Sequence, residues 1–554
     1  MGNGRHWKII VIKCHQRIKA SGNVLKLKGI AWGEALCARG DWMKKIKKFL
    51  LGRATIVAFA ILIQLCWLLS FLYDFQARFT FFNTVIDLVA VFVVLLIVNK
   101  RSNLSYKLAW SVVILAVPIV GLLIYFIFGR SELTRPTRKR MEAINFEMEQ
   151  ELPEHSQIQM ELMEKDMSVY CQSKYVRDWA GFPVYKNTET KYYPCGEKMF
   201  PDMLAALEEA EHFIFMEYFI VEEGYMFGKI LEILKRKANQ GVDVRFIYDD
   251  FGCVTTLPAK YYRRMQEWGI QCVRFNPLYP VMSVIMNNRD HRKILVVDGK
   301  VGFTGGINLA DEYVNQVKRF GYWKDTAIRL EGEAVWSFTL MFLEMWDYIT
   351  KSQEADLEKF RPARYQTREF HTDGYVQPYT DSPLDHENVG ENIYMNIINR
   401  ARNYVYIFTP YLIPDDEILK ALQNAAKSGV DVRIIMPGIP DKQIIYWISQ
   451  SYYEPLLECG VRIYQFNPGF LHAKCFVCDD EVAVVGSVNL DYRSLYLHFE
   501  CGVWMYCSRA VMQVKADVLN TLEQSEEINM EFCRKRPAAI RTLQSVLRLF
   551  APLL

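Results

Sequence analysis

His291-Arg-Lys293-Ile-Leu-Val-Val-Asp298-Gly-Lys-Val-Gly-Phe-Thr-Gly305-Gly306-Ile-Asn308 returns later in the chain as His472-Ala-Lys474-Cys-Phe-Val-Cys-Asp479-Asp-Glu-Val-Ala-Val-Val-Gly486-Ser487-Val-Asn489. Both copies read His-x-Lys-x4-Asp, then a second apolar run, then Gly-Gly or Gly-Ser, then Asn. Residues i and i+2 of a strand share a face, so His and Lys of each copy point the same way. The apolar residues after Lys make a buried strand, and Asp-Gly or Asp-Asp marks the turn that sends it back. At the returning end glycine lets the backbone approach a ligand closely, and Asn offers an amide beside the same place. One such motif arises by chance in a long chain. Two with matched continuations point to one site assembled from two halves.

The duplication extends upstream. Residues 211–220 and 403–411 read as strands, and the helical patterns at 228–239 and 416–427 follow them. Each helix stops at a glycine that opens the same strand, Gly241-Val-Asp-Val-Arg245 and Gly429-Val-Asp-Val-Arg433. A further strand ends in Phe275-Asn-Pro277 and in Phe466-Asn-Pro468. Strands alternating with helices predict an α/β fold. A period this long means two domains rather than a solenoid. Copy one carries an insertion at 278–290, partly apolar, that suits either core packing or a loop meeting lipid at the mouth of the site.

The residue types suit phosphoryl transfer. A His nitrogen can attack phosphorus and form a covalent intermediate. A second His can protonate the leaving alcohol and deprotonate the incoming one. Lys293 and Lys474, with Asn308, Asn489, Gly306 and Ser487 around the phosphoryl oxygens, can hold charge as it shifts in the transition state. Such a site needs no metal and no cofactor. Asp298 and Asp479 complete the expected catalytic set, either at the substrate or as braces of the strand turn. Cys475 and Cys478 form a C-x-x-C pair inside an apolar stretch. A zinc site needs two more ligands, so they read as core strand residues.

The chain has 554 residues, of which 51% are hydrophobic, and a net charge of +3. That is enough for two domains plus a further segment. The near-neutral balance gives no nucleic-acid footprint, which argues against a nuclease. Thirteen cysteines, an odd number without a disulfide framework, suit a reducing compartment. Apolar runs at 54–73, 79–98 and 108–129 each approach the roughly 20 residues that a membrane span needs. Lys44, Lys45, Lys47, Lys48 and Arg53 precede the first run, and Lys100, Arg101 and Lys107 follow the second, as the positive-inside rule expects of cytoplasmic flanks. A third full span would put Arg130, Arg135, Arg138, Lys139 and Arg140 outside, against the same rule. One run is therefore expected to be re-entrant or interfacial; Asp87 and Pro118 make the second and third runs the candidates.

With both motifs, Thr409-Pro-Tyr411, Asn489-Leu-Asp491-Tyr-Arg-Ser494, Phe499-Glu500 and the tail Leu549-Phe-Ala-Pro-Leu-Leu554, the chain resembles the phospholipase D superfamily and, within it, the bacterial cardiolipin synthases. The pattern from Leu108-Ala-Trp110 through Pro118, Gly121 and Tyr125 to Phe128-Gly129 resembles that family's membrane hairpin. The run at 54–73 looks like an addition to it. The resemblance implies two mixed-sheet halves related by a pseudo-twofold axis behind a helical membrane segment. It divides the chain into a basic tail (1–53), a membrane segment (54–130), a charged helical linker (131–180) and two halves (181–370 and 371–554). It implies a multi-pass membrane enzyme with its catalytic part in the cytoplasm. The implied reaction joins two phosphatidylglycerols into cardiolipin and glycerol, with His291 as nucleophile and His472 as acid/base. Glu500 would orient the histidine of its own half, with Asp325 as its counterpart in copy one. The alternatives are a phospholipase D-type hydrolase, a transferase using another alcohol, and a membrane-tethered phosphodiesterase.

Overall fold

The computed structural model describes residues 80–100, 103–129, 135–278, 288–366, 368–370, 374–385 and 387–553, together with a few helical positions between 59 and 70. The basic tail and most of the first apolar run lie outside the described residues, as does most of the insertion before His291.

The second apolar run forms helix α1 (Thr80–Val98), and among the described residues it alone is long and apolar enough to cross a membrane. The third run does not form one helix. It forms α2 (Leu104–Ala116) and α3 (Pro118–Phe128), separated at Val117. Pro118 lacks an N–H and pushes the preceding residue out of helical geometry, and Val117 is extended at φ −141°. The chain then folds back. Gly121 sits so close to α2 that a Cβ there would lie 2.5 Å from the Val113 carbonyl oxygen. Trp110 and Tyr125 meet edge to face at 5.2 Å, and the Tyr106 hydroxyl donates to the Gly129 carbonyl at 2.8 Å. Both ends of the third run therefore lie together. Ala90, Val93 and Ile97 of α1 complete this small core, while Phe81, Leu88 and Phe92 are exposed.

The charged segment at 135–180 is helical as expected, but it is not a bare solvated linker. Met141, Ile144 and Met148 occupy one stripe of the helix Arg135–Gln150 and are buried in the main core. Val169 and Val176 do the same for Met167–Ala180 against the second half.

The first half contributes β1 (Thr188–Tyr193), β2 (Phe213–Tyr218), β3 (Asp243–Asp249), β4 (Gln271–Phe275), β5 (Arg289–Asp290), β6 (Lys293–Val297), β7 (Val301–Gly305), β8 (Tyr322–Lys324) and β9 (Ala327–Gly332). The second contributes β10 (Tyr375–Asp381), β11 (Tyr404–Phe408), β12 (Leu412–Ile413), β13 (Asp431–Pro437), β14 (Arg462–Phe466), β15 (Gly469–Leu471), β16 (Cys475–Cys478), β17 (Val482–Gly486), β18 (Leu490–Asp491), β19 (His498–Tyr506) and β20 (Ser525–Ile528). The first sheet runs β1-β9-β7-β6-β2-β3-β4 and the second β10-β19-β17-β16-β11-β13-β14-β20. The strand order is the same, with β20 added at one edge. In both, parallel pairs (β2/β3/β4 and β11/β13/β14) adjoin an antiparallel meander.

Alternation along the motif strands divides the core. Ile294 and Val296 face a cluster shared by both halves, where they meet Cys475, Val477 and Val485. Leu295 and Val297 face the helices Gly196–Glu208 and Tyr225–Asn239 on the far side of their own sheet. Cys475 and Cys478 are buried strand residues on opposite faces, and both are free.

The halves also exchange strands. β5 of the first half pairs in parallel with the start of β19, setting Arg289 opposite His498 and Asp290 opposite Phe499. β15 of the second pairs in parallel with β8, setting Phe470 opposite Trp323 and Leu471 opposite Lys324. Reciprocal pairing of this kind is what a pseudo-twofold axis produces. It runs beside the motif histidines.

Candidate active site

Each motif histidine follows its exchanged strand. The His291 amide donates to the Phe499 carbonyl at 2.9 Å, and the His472 amide to the Lys324 carbonyl at 2.7 Å. The histidines thus stand just ahead of β6 and β16, on backbone held by the opposite half. This overturns the expectation that Glu500 orients the histidine of its own half. His291 Nδ1 lies 2.9 and 3.0 Å from the two oxygens of Glu500, and His472 Nδ1 lies 2.6 Å from Asp325 Oδ2. Each carboxylate serves the other half because the short strand leading into the partner histidine, β5 or β15, crosses over to pair beside it. A carboxylate only accepts, so Nδ1 carries the hydrogen and Nε2 offers its lone pair.

Both rings line one cavity of about 1010 Å³ between the halves. Asn308 and Asn489 line it too. Asn308 Oδ1 accepts from the Ile220 amide at 3.0 Å and its Nδ2 donates to the Tyr313 hydroxyl at 2.8 Å. Asn489 Nδ2 donates to Ser494 Oγ at 3.0 Å, while its Oδ1 is buried without a hydrogen bond. Lys293 and Lys474 are buried, and each ammonium folds back to the carbonyl of its own motif histidine.

Gly306 and Ser487, expected at the substrate, lie behind the carboxylates instead. A Cβ on Gly306 would come within 2.1 Å of Asp325 Oδ1, so only glycine leaves that carboxylate its position. Ser487 Oγ is taken by the backbone of Cys501, next to Glu500. The two motif aspartates are also displaced from the expected catalytic set. Asp298 ends β6, roughly 16 Å from Lys293 at about 3.3 Å per strand residue. It accepts three backbone N–H groups, from Glu211, His212 and Phe213, each at 2.8 Å. Asp479 accepts from Arg402, Asn403 and Tyr404 at 2.7, 2.9 and 2.8 Å. Both adopt left-handed backbone, at φ +50° and +52°. They staple the motif strand to its neighbour.

The electrostatics suit an anion. Burial and then the Lys293 and Lys474 charges hold His291 well below its usual range. Burial and Lys474 bring His472 to about 4 although Asp325 opposes them. Burial lowers Lys293 to about 8 and Lys474 to about 7. Burial is the first cause of all four shifts, and the lysine charges add to it at both histidines, so a bound anion would offset that added charge. Three potential metal-ligand atoms, from His291, His498 and Glu500, lie within 4.8 Å of one another. The Lys293 and Lys474 charges that lower His291 would also oppose a cation there.

Residues without an expected role also reach the cavity. Tyr313, Trp323, Phe470 and Tyr411 give it aromatic walls, and Arg289, Arg493 and His498 crowd the His291 end. A signal for His498 was present. It stands two residues before Glu500, as Trp323 stands two before Asp325, so aligning the copies singles it out.

Comparison with known proteins identifies the family. The family described as "Cardiolipin synthase, PLD-like domain" matches residues 203–319 and 394–522, and the one described as "Phospholipase_D-nuclease N-terminal" matches 85–130. A cardiolipin synthase of Alkalihalophilus pseudofirmus is 36% identical over 85% of this chain and 93% of its own length. The chain belongs to the cardiolipin synthase family of the phospholipase D superfamily, a family of phosphatidyltransferases. An uncharacterized protein of Streptococcus mutans is 48% identical over 83% of this chain and 99% of its own length. The fold is shared with a phosphatidylserine synthase of Haemophilus influenzae, at 13% identity and a TM-score of 0.53 over 69% of this chain and all of that one.

Two outcomes follow from the geometry. Asp298→Ala and Asp479→Ala each strand backbone donors and should cost roughly 2–3 kcal/mol of stability by thermal unfolding. Turnover per folded molecule should persist in both. Inhibition by inorganic phosphate should weaken as pH rises above about 8, since Lys293 and Lys474 lose their charge there; titrating the inhibition constant between pH 6 and 10 checks it.

Proposed function

We propose that the chain transfers a phosphatidyl group from one phosphatidylglycerol to another, giving cardiolipin and releasing glycerol. The observation that supports this most is the pair of motif histidines presenting Nε2 to one cavity, each anchored through Nδ1 by the opposite half. Resemblance to the family assigns His291 as nucleophile. Its Nε2 lone pair attacks phosphorus, and the bond from phosphorus to the glycerol oxygen breaks. His472 gives that oxygen its proton. Burial and then the Lys474 charge lower the proton affinity of His472; the bound phosphodiester's negative charge opposes the lysine and acts with Asp325, so that His472 enters this step protonated. The second phosphatidylglycerol then gives its hydroxyl proton to His472, its oxygen attacks phosphorus, and the P–N bond breaks. Lys293 and Lys474 hold the non-bridging oxygens throughout.

The lipid substrate is supported by the surroundings of the cavity. Ala551 of the C-terminal tail lines it, and Leu553 packs against the core of α1, α2 and α3. Asn103, capping α2, donates to Asp415 at 3.0 Å and to Tyr496 at 2.9 Å in the second half. Ile444 and Phe251 at the cavity are exposed apolar residues. The fold-back of the third run supports a topology in which the charge pattern has no conflict. With spans only at the first two runs, the basic residues before run one, after run two and after run three all face the cytoplasm. The catalytic halves lie on that side.

The decisive experiment supplies the full chain in detergent with labelled phosphatidylglycerol. Cardiolipin and glycerol in equal amounts are expected, and phosphatidic acid as the sole product would overturn the transfer reading. His291→Ala and His472→Ala should each lose on the order of a thousandfold or more in rate while staying folded and membrane-bound. A phosphatidyl-enzyme should be trapped in the His472 variant only.

A further inference from the structure

Duplication makes the two histidine–carboxylate pairs equivalent, but their surroundings differ. Two residues before Asp325 stands Trp323, and two before Glu500 stands His498, each fixed by the same cross-half pairing. The ring neighbours of His472 are Trp323 at 5.5 Å, Phe470 at 5.7 Å and Tyr313 at 5.7 Å between centroids, none of them an imidazole. His291 instead has a second imidazole beside it, His498 at 5.6 Å. Four residues beyond the paired asparagines the sequence inverts its charge, from Glu312 in one half to Arg493 in the other. Arg493 Nε–H donates to His498 Nε2 at 3.3 Å.

A guanidinium cannot accept a hydrogen bond or give up its proton, so His498 Nε2 is the bare nitrogen and Nδ1 carries the hydrogen. Protonating His498 would set two N–H groups against each other. Its Nδ1 is buried without a hydrogen bond and lies 3.8 Å from Glu500 Oε1, so the two interact through charge rather than through a bond. Glu500 thus faces two imidazoles, with a fixed cation behind the second. Asp325 faces one, through a single short bond.

We propose that Arg493 and His498 are positioning residues that break the symmetry of the site: Arg493 locks His498 neutral, His498 draws on the charge of Glu500, and His291 is left unprotonated as the nucleophile. The proposal rests on the transfer mechanism above. That mechanism needs one bare histidine and one proton carrier, and two identical pairs would divide the proton between them. The charged groups facing His291 agree. Besides Glu500 and His498 on β19, and Arg289 and Arg493 at the same end of the cavity, they are Lys293 on its own strand, Lys474, His472 and Lys442; burial lowers its proton affinity most, and these last four lower it further. At His472 burial and Lys474 lower it and Lys293 adds to them, but Asp325 raises it through charge and hydrogen bond.

The test is the pH dependence of kcat/KM for cardiolipin formation by full-length His498→Phe, Arg493→Gln and His498→Gln. The rate falls as pH drops through the pKa of the nucleophile. With Glu500 undivided, His291 holds its proton more tightly, so the acid limb moves to higher pH by about one unit in His498→Phe and in Arg493→Gln. His498→Gln keeps an acceptor for Arg493 and a donor toward Glu500, and its limb stays in place. An acid limb unmoved in both of the first two variants overturns the proposal. Nitrogen NMR of histidine-labelled wild type with inorganic phosphate gives a reading that needs no substitution and no turnover. Neutral His291 with protonated His472 is expected, and the reverse would sink the idea. A wild type that makes no cardiolipin would refute the transfer reading and leave this measurement standing.

Discussion

Everything at the site depends on a hydrogen bond that neither half can make alone. His291 is oriented by Glu500 and His472 by Asp325, across the boundary in both directions. Both carboxylates are fully buried. A buried carboxylate without partners is costly, and one that holds an imidazole N–H in a low-dielectric interior gains a strong, directional bond. The crossing strands β5 and β15 make that bond possible, because they carry each histidine onto the edge of the other half. Fold and site are therefore one construction. The cavity is the space left where two like surfaces meet along their axis and cannot fill it.

Much of this was legible in the sequence because it is local. The alternation of Ile294, Leu295, Val296 and Val297 announces a strand buried on both faces, and Asp298-Gly and Asp479-Asp announce left-handed turns. The order of strands and helices in each copy can be read off the matched glycines. What could not be read is long-range. Nothing local to Glu500 says that its histidine lies in the other half, since that depends on β5 pairing with β19. The role of Asp298 was ambiguous for the same reason, because its three partners lie far back in the chain, at 211–213. The stripe of Met141, Ile144 and Met148 was visible at helical spacing, but the charges around it masked it. The third apolar run has enough residues for a span, and only the fold-back around Pro118 and Gly121 shows that it returns.

The two lysines explain why a cavity of this kind selects phosphate. Burial alone would discharge an ammonium group, and two of them near two imidazoles discharge each other further. The site tolerates them because each folds back onto a carbonyl of the motif and because Asp325 and Glu500 stand close by. A phosphodiester brings the missing negative charge to a preorganised place, and more charge gathers on its oxygens as the reaction proceeds. The arrangement therefore favours the transition state over the ground state.

A duplicated site must still give its two copies different work. In this reaction the leaving alcohol and the incoming alcohol are both glycerol hydroxyls, so departure and attack can follow one path in opposite directions. In the proposed mechanism a single acid/base histidine serves both steps, giving a proton and then taking one back. The other histidine need only stay bare, and that requires an asymmetry on one side of the axis alone. Two differences between the halves fall there: an imidazole where the other half has an indole, and an arginine where the other half has a glutamate. The symmetry builds the cavity, and the proposed departure from symmetry is what would leave one histidine bare for the transfer.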